Sequence, residues 1–471
     1  MITWVVGTDD WHTAANWEDE SFVNVVPGAL DFTHINNGGA VQVTTANAIS
    51  GRLHVGASGP ATGVLSGTVT TNNFDLGANF YAHVGSATAG VTSATGTIVT
   101  TAGNLNMPGG VLFVGSVANS TTAGQATGTG IVNVDGFVSA SQFSRIGNLF
   151  NGDGDANGSV TASSGVTGTF GVGVAHSGAA TGLATGLLTV TGGDLNFSTG
   201  NFRVGDNFGD ATTDGTVDVQ AGNIATTTSL SFLPNITIGR AIGGNATGVM
   251  TAQGIDTTNQ SLDDLIVGLA ASGGTAMGTF DPGPGDISLE GNFQVGKVFL
   301  NLGGNATGSA TIDGMVTGVG GDLKVFEIGT GRGIGLSDTG EGSVIGGAAL
   351  AGVGGFDVNR IGVMTGTVQE ATASAMGTLT VGAGGIAGKA DGSGRLEIGV
   401  VYGTPNNNTL TGPGGSATGM VTVTGGNVGN FGDGILVGHS SNFGNSDGTL
   451  MVSDGNVSGS RLSVGTIQVQ N

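Results

Sequence analysis

Apolar and polar residues alternate along much of this chain, and the alternation keeps returning to one short phrase. "FRVG" at Phe202 to Gly205, "FQVG" at Phe293, "FEIG" at Phe326, "LEIG" at Leu396 and "LSVG" at Leu462 share an apolar residue, a free position, Val or Ile, and Gly. In relaxed form the phrase occurs 14 times, with its Gly at 56, 85, 115, 147, 173, 205, 239, 268, 296, 329, 362, 399, 438 and 465. The intervals run from 26 to 39 residues and average about 31, a period that marks a solenoid, a propeller or an array.

The residue before the Gly is Val or Ile in all 14 copies, and two positions earlier it is apolar in 12. Ser144 and Asn359 are the exceptions, and each follows a displaced apolar residue, Phe143 or Val358, so a local bulge would restore the inward contact. Apolar residues at alternate positions are the mark of a half-buried strand, and the Gly is expected to end it by allowing a corner at positive φ. A second phrase precedes the first, as in "ATGLLTVTGGDLNF" at Ala184 and "ATGMVTVTGGNVGN" at Ala417. Each repeat therefore reads as strand, Gly corner, short strand, turn, strand ending in Val-Gly, and variable loop.

Three short strands per repeat and no helical stretch predict an all-β chain, a single elongated β-solenoid (β-helix) of about 14 three-stranded coils. A propeller blade would need four longer strands in about 40 residues or more. Residues 1–40 form an N-terminal aromatic cap with the first strands, 41–465 the repeats, and 466–471 a C-terminal strand. Stacked coils align the free position of the phrase into one column, His54, His83, Phe113, Arg145, Gly171, Arg203 and onward to Glu327, Arg360 and Glu397. Its mostly polar content predicts an outward face. The alternating charges of the last three suggest an exposed ladder contributing about 0 to 1 kcal/mol per pair.

Composition narrows the class further. Of 471 residues 96 are Gly, yet 38% are hydrophobic, which is more than disordered chains carry. The formal charge of −22 argues against nucleic acid and anionic membranes as partners. There is no Cys, hence no disulfide or thiolate site. No apolar run is long enough for a membrane helix. The start "MITWVVGTDDWHT" lacks the features of a signal peptide, and the acidic Gly/Thr/Asn-rich repeats suit the cell exterior, so a leader is expected to have been removed.

All three tryptophans, Trp4, Trp11 and Trp17, lie in the first 17 residues, where bulky rings would cover the open end of the first coil. The arrangement "TW…W…AANW…VP…D", followed by Gly-rich strand repeats, resembles the N-terminal region of bacterial autotransporter-like and related secreted β-helix (pectin-lyase-like) surface proteins. That resemblance implies an adhesive or structural role, with polysaccharide-cleaving enzymes as the catalytic branch of the same fold. At the other end "TIQVQN" alternates Ile467 and Val469 with polar neighbours. A last coil left open invites a second subunit, and head-to-tail contacts between it and the Trp4, Trp11 and Trp17 end would propagate into a filament. A removed cap or sorting tail is the alternative.

The candidate chemistry is sparse. His54 and His83 share a repeat position, too few for a metal site. "NGDGDANG" places Asp153, Asp155 and Asn157 in the spacing that opens a calcium loop, although Ser164 stands where the closing Glu belongs. Asp206, Asp210 and Asp214 form a looser acidic loop. Asn245 and Asn305 are glycosylation candidates in identical "GGNATG" segments. Catalytic residues are not assigned, because acids and the three Lys share no column outside Glu327, Arg360 and Glu397. The expectation is an extracellular structural subunit that polymerises with itself and is not an enzyme. The alternatives are an adhesin binding glycans or cell surfaces through its variable loops, and a polysaccharide lyase or hydrolase.

Overall fold

A computed structural model describes the chain apart from residues 45–47, 58–62, 77–80, 108, 119–125, 151–152, 177–180, 198–199, 228–232, 300–303, 320–323, 333–337, 346–351, 366–373, 403–414, 442–443, 466 and 469–471. Strand follows strand throughout the described residues, relieved by a short 3-10 turn at Ala14–Asn16. No helix among them is long and apolar enough to cross a membrane.

Each repeat supplies one long strand, one short strand and one strand bearing the Val-Gly phrase. In the unit Met1–Thr227 one such coil is Gly182–Val190, Leu195–Phe197 and Asn201–Asn207. In the unit Thr228–Asn471 one is Thr275–Asp281, Ile287–Leu289 and Phe293–Val298. Like strands of successive coils pair in parallel, as Tyr81–Ala87 does with Val111–Ala118 and Val325–Arg332 with Val358–Thr365. The N-terminal Ile2–Trp4 departs from this, pairing antiparallel with Trp17–Asp19 and parallel with Phe32–Ile35. The stack is a β-solenoid of about 12 turns. The count is lower than the 14 coils the repeats predict.

All fourteen phrase glycines adopt φ between +50° and +71°, the left-handed region that a side chain makes costly. Gly56, Gly438 and Gly465 end their strands as the sequence suggests, but the other eleven lie inside theirs. Pairing skips the Gly and resumes beyond it, Val84 with Val114 and then Ser86 with Ser116. One left-handed residue bends the strand, and its neighbours still reach the adjacent coil.

A second reason for Gly lies behind the bend. A Cβ on Gly115 would sit 1.7 Å from the carbonyl oxygen of Asn157, and one on Gly158 would sit 2.3 Å from the backbone nitrogen of Gly147. The corner backbone thus rests directly on the middle of a long strand. There the facing glycines form their own column, Gly96, Gly130, Gly158, Gly186 and Gly215, and again Gly248, Gly278 and Gly308. Contact between two backbones divides the interior. The wider part holds Val172, Phe170, Phe197 and Phe202 in the first unit and Phe293, Phe326 and Phe356 in the second. The narrower part is lined by Ala126, Ala156 and Ala184 with Val117 and Leu149, and by Ala246, Ala276 and Ala306 with Ala270 and Val298. The recurrent "ATG" is therefore a core Ala, an outward Thr and a contact Gly.

A register irregularity does fall between Ala140 and Ser144 and none at Asn359, but neither repeat regains an apolar residue at the inward position. Ser144 keeps the inward position, and its Oγ accepts the Leu112 N–H at 2.9 Å. Asn359 is likewise buried, and Phe356 fills the space beside it, edge-on to Phe326 at 5.4 Å. A satisfied hydroxyl and a ring from the preceding turn replace the missing side chains.

Candidate functional site

The bend at each corner Gly turns two outward residues toward each other, the free residue before Val-Gly and the residue after it. Successive coils line these up into an outer groove. Its residues are half-buried or buried rather than exposed, because each lies between its own bend and the copies above and below.

In the first unit the groove is aromatic and cationic. His34, His54 and His83 stand in one register column, the first not expected from the phrase search. Its repeat reads "THIN", with Ile35 in the Val position and Asn36 in place of Gly, which hid it. Ring centroids are 4.7 Å apart for His34 and His54 and 4.8 Å for His54 and His83, and His83 stacks on Phe113 at 4.6 Å. Desolvation, helped by the neighbouring His54, lowers the pKa of His34 and of His83 to about 3. A linear column at this spacing leaves the outer two rings about 9 Å apart, too far to ligate one ion.

Further along, Arg145, Gly171 and Arg203 occupy the same column. The missing side chain at Gly171 makes a gap, and Phe143 lies over it, its Cζ 2.9 Å from where a Cβ would stand. Arg145 and Arg203 flank that ring at 5.7 Å and 5.4 Å, within reach of cation–π attraction. The displaced Phe143 of the sequence therefore serves the groove.

In the second unit the groove is ionic. Gln294, Glu327, Arg360 and Glu397 are in register, as the column predicts. They form a largely buried network, however, and not an exposed ladder. Glu327 receives Lys297, Gln294 Nε2 at 3.0 Å and Arg360 Nη1 at 3.1 Å. Glu397 receives Arg360 Nε at 3.0 Å and the Tyr402 hydroxyl at 2.7 Å, and forms an ion pair with Arg395 at 2.8 Å. Burial alone would lower the Arg360 pKa, and the carboxylates of Glu397 and Glu327 outweigh it and raise it. Burial and Glu397 raise that of Tyr402. With both carboxylates engaged on every side, the geometry serves inter-coil register.

The remaining candidates fall apart in space. Asp155 and Asn157 belong to the strand Gly154–Ala162 and not to a loop. Alternate residues of an extended strand point the same way about 7 Å apart and cannot converge on calcium. Asp153 instead accepts from Thr181 Oγ1 at 2.7 Å, and Asp155 from the Leu183 N–H at 3.3 Å. Asp206 is buried in the strand Asn201–Asn207, 3.4 Å from Arg203, and Asp214 lies in Thr212–Val219. Among the described residues no group of three or more His, Asp or Glu is placed to hold a metal. Asn245 and Asn305 are exposed at the starts of adjacent-but-one strands, with Thr275 between them in the column.

Trp4, Trp11 and Trp17 are buried within their own chain, Trp4 and Trp17 edge to face at 4.7 Å and Trp11 against Phe74 at 5.7 Å. Their rings are spent there and are not offered to a neighbour. Ile467 pairs with Ser440, and Val469 lies outside the described residues.

Parallel coils, corner glycines and a divided core define a β-solenoid repeat protein. Comparison with protein-family models, curated proteins and solved structures gives no match.

Proposed function

We propose that the chain is an extracellular structural subunit that joins end to end with further copies into a surface filament, a role akin to that of the secreted β-helix surface proteins its first residues resemble. The observation that carries this is the in-register parallel stacking of like strands, which a further coil of the same spacing can extend. Ile435 and Val437 are 1% and 4% exposed, whereas their counterparts one coil on, Leu462 and Val464, are 59% and 65% exposed. These side chains point where a further coil would cover them. In the first unit Met1, Phe22, Val23 and Leu30 are exposed apolar residues, an unusual concentration for a water-facing surface. A second copy matches both needs, since it brings strands of the same spacing and an apolar surface.

Sedimentation velocity across a concentration series tests the reading. The wild-type chain forms larger species as concentration rises, and Leu462→Asp with Val464→Asp remains monomeric. A wild-type chain that stays monomeric throughout refutes it.

A further inference from the structure

We propose that the aromatic notch around Arg145, Asn148 and His176 binds an oxyanion, a sulfate or carboxylate group supplied by an external ligand. The placement starts from polar groups left without partners. Arg145 packs against Phe113, Phe143 and Phe150 at 5.6, 5.7 and 5.9 Å, yet it has no carboxylate partner among the described residues, and its buried Nε makes no hydrogen bond. Three residues on, Asn148 is buried and its Oδ1 is unpartnered. His176 Nε2 is buried and unpartnered too, and its ring lies 5.0 Å from Phe150 and 6.4 Å from Phe208. Leaving such groups unsatisfied is costly, and a cluster of them calls for a partner.

The chemistry of the cluster selects that partner. Burial, helped by the like charge of Arg203, lowers the pKa of Arg145, and burial together with both guanidiniums lowers that of His176 to about 4. Asp206 is the carboxylate in this stretch, and Arg203 holds it at 3.4 Å. On a chain of formal charge −22, the notch is thus a local cationic site. An oxyanion would accept from the Arg145 guanidinium and from an Nε2–H of neutral His176. A hydroxyl beside it would donate to Asn148 Oδ1. The aromatic walls exclude water and strengthen both contacts.

Histidine NMR of the full chain during titration with sodium sulfate, at ionic strength held constant with chloride, reads the site directly. The expected result is a saturable shift of the His176 resonances and a rise of its pKa toward the ordinary imidazole value. Arg145→Gln weakens the response at least about tenfold, while Arg145→Lys retains part of it and guards against a variant that fails to fold. Dextran sulfate compared with plain dextran separates the sources. Tighter binding of the sulfated polymer assigns a polymer-borne oxyanion, and equal affinity per sulfate assigns a free ion. A His176 signal indifferent to sulfate, or one that responds equally in a folded Arg145→Gln protein, overturns the proposal.

Discussion

Acidification from pH 7 to 5 should destabilise the first unit steeply, through its stacked histidines. His34 faces Phe32, His54 and Asn36, and the Asn36 Nδ2 donates to its Nδ1 at 3.4 Å, a contact a protonated ring would lose. His83 faces His54, Tyr81, Phe113 and Ser86, with Arg52 bonded to Tyr81. The nearby charges acting on this pair are His neighbours and the amino terminus, none of them negative. Folding lowers each pKa from 6.5 to about 3, so the unfolded chain binds the extra proton throughout that window. Stability is therefore fully present above pH 6.5 and is lost as the pH falls toward 3. At pH 5 the linkage relation gives about 2 kcal/mol for buried His34. His83 and His176 are half-buried, and solvent screening reduces their shares. The sum, about 4 kcal/mol, is a large part of the roughly 5 to 15 kcal/mol that holds a domain together. All three Trp belong to this unit, so urea unfolding followed by Trp fluorescence reports it alone. The free energy should fall by the equivalent of about two protons per pH unit between pH 6 and 4, and less in His83→Asn. Unfolding free energies that stay flat from pH 7 to 5 would refute the reasoning.

Other perturbations probe the packing. Gly115→Ala sets a methyl 1.7 Å from a backbone oxygen at a residue with φ of +59°; denaturation should show a loss of about 2 to 5 kcal/mol. Glu397→Ala removes the carboxylate that holds Arg395 and Tyr402 and one of the two that hold Arg360, and a loss of about 1 to 3 kcal/mol is expected by chemical unfolding. Replacing Glu397 and Arg360 together with Leu and Met should recover most of it. Phe143→Ala uncovers Gly171 and separates two guanidiniums from their shared ring; about 1 to 3 kcal/mol is expected, seen in the Trp-reported transition. Chelation by EDTA should leave both transitions unmoved, since Asp155 and Asn157 lie on an extended strand.

The repeat, the three-strand coil and the in-register columns were legible because a buried position tolerates little variation, and Val or Ile before Gly recurs without exception. The contact between corner and mid-strand glycines was not, because a Gly in a strand pattern carries no sign of what approaches it. The same ignorance of cross-sectional shape made the free column look exposed. Glu327 and Glu397 are polar by type and buried by the bend that faces them inward across the groove. His34 escaped because its repeat lacks the Gly, and a search by register, with Ile35 aligned to Val55, recovers it. The calcium spacing has a plainer reading. Asp-x-Asp-x-Asn is also what an outward strand face looks like, and Gly154 and Gly158 fit the long strand.

Electron microscopy of the purified chain at increasing concentration tests the central claim most directly. The account predicts long unbranched fibres in which the roughly 4.8 Å strand spacing runs along the fibre axis. It also predicts that Leu462→Asp with Val464→Asp abolishes them. Isolated particles at every concentration, or fibres that the double variant still forms, would contradict it.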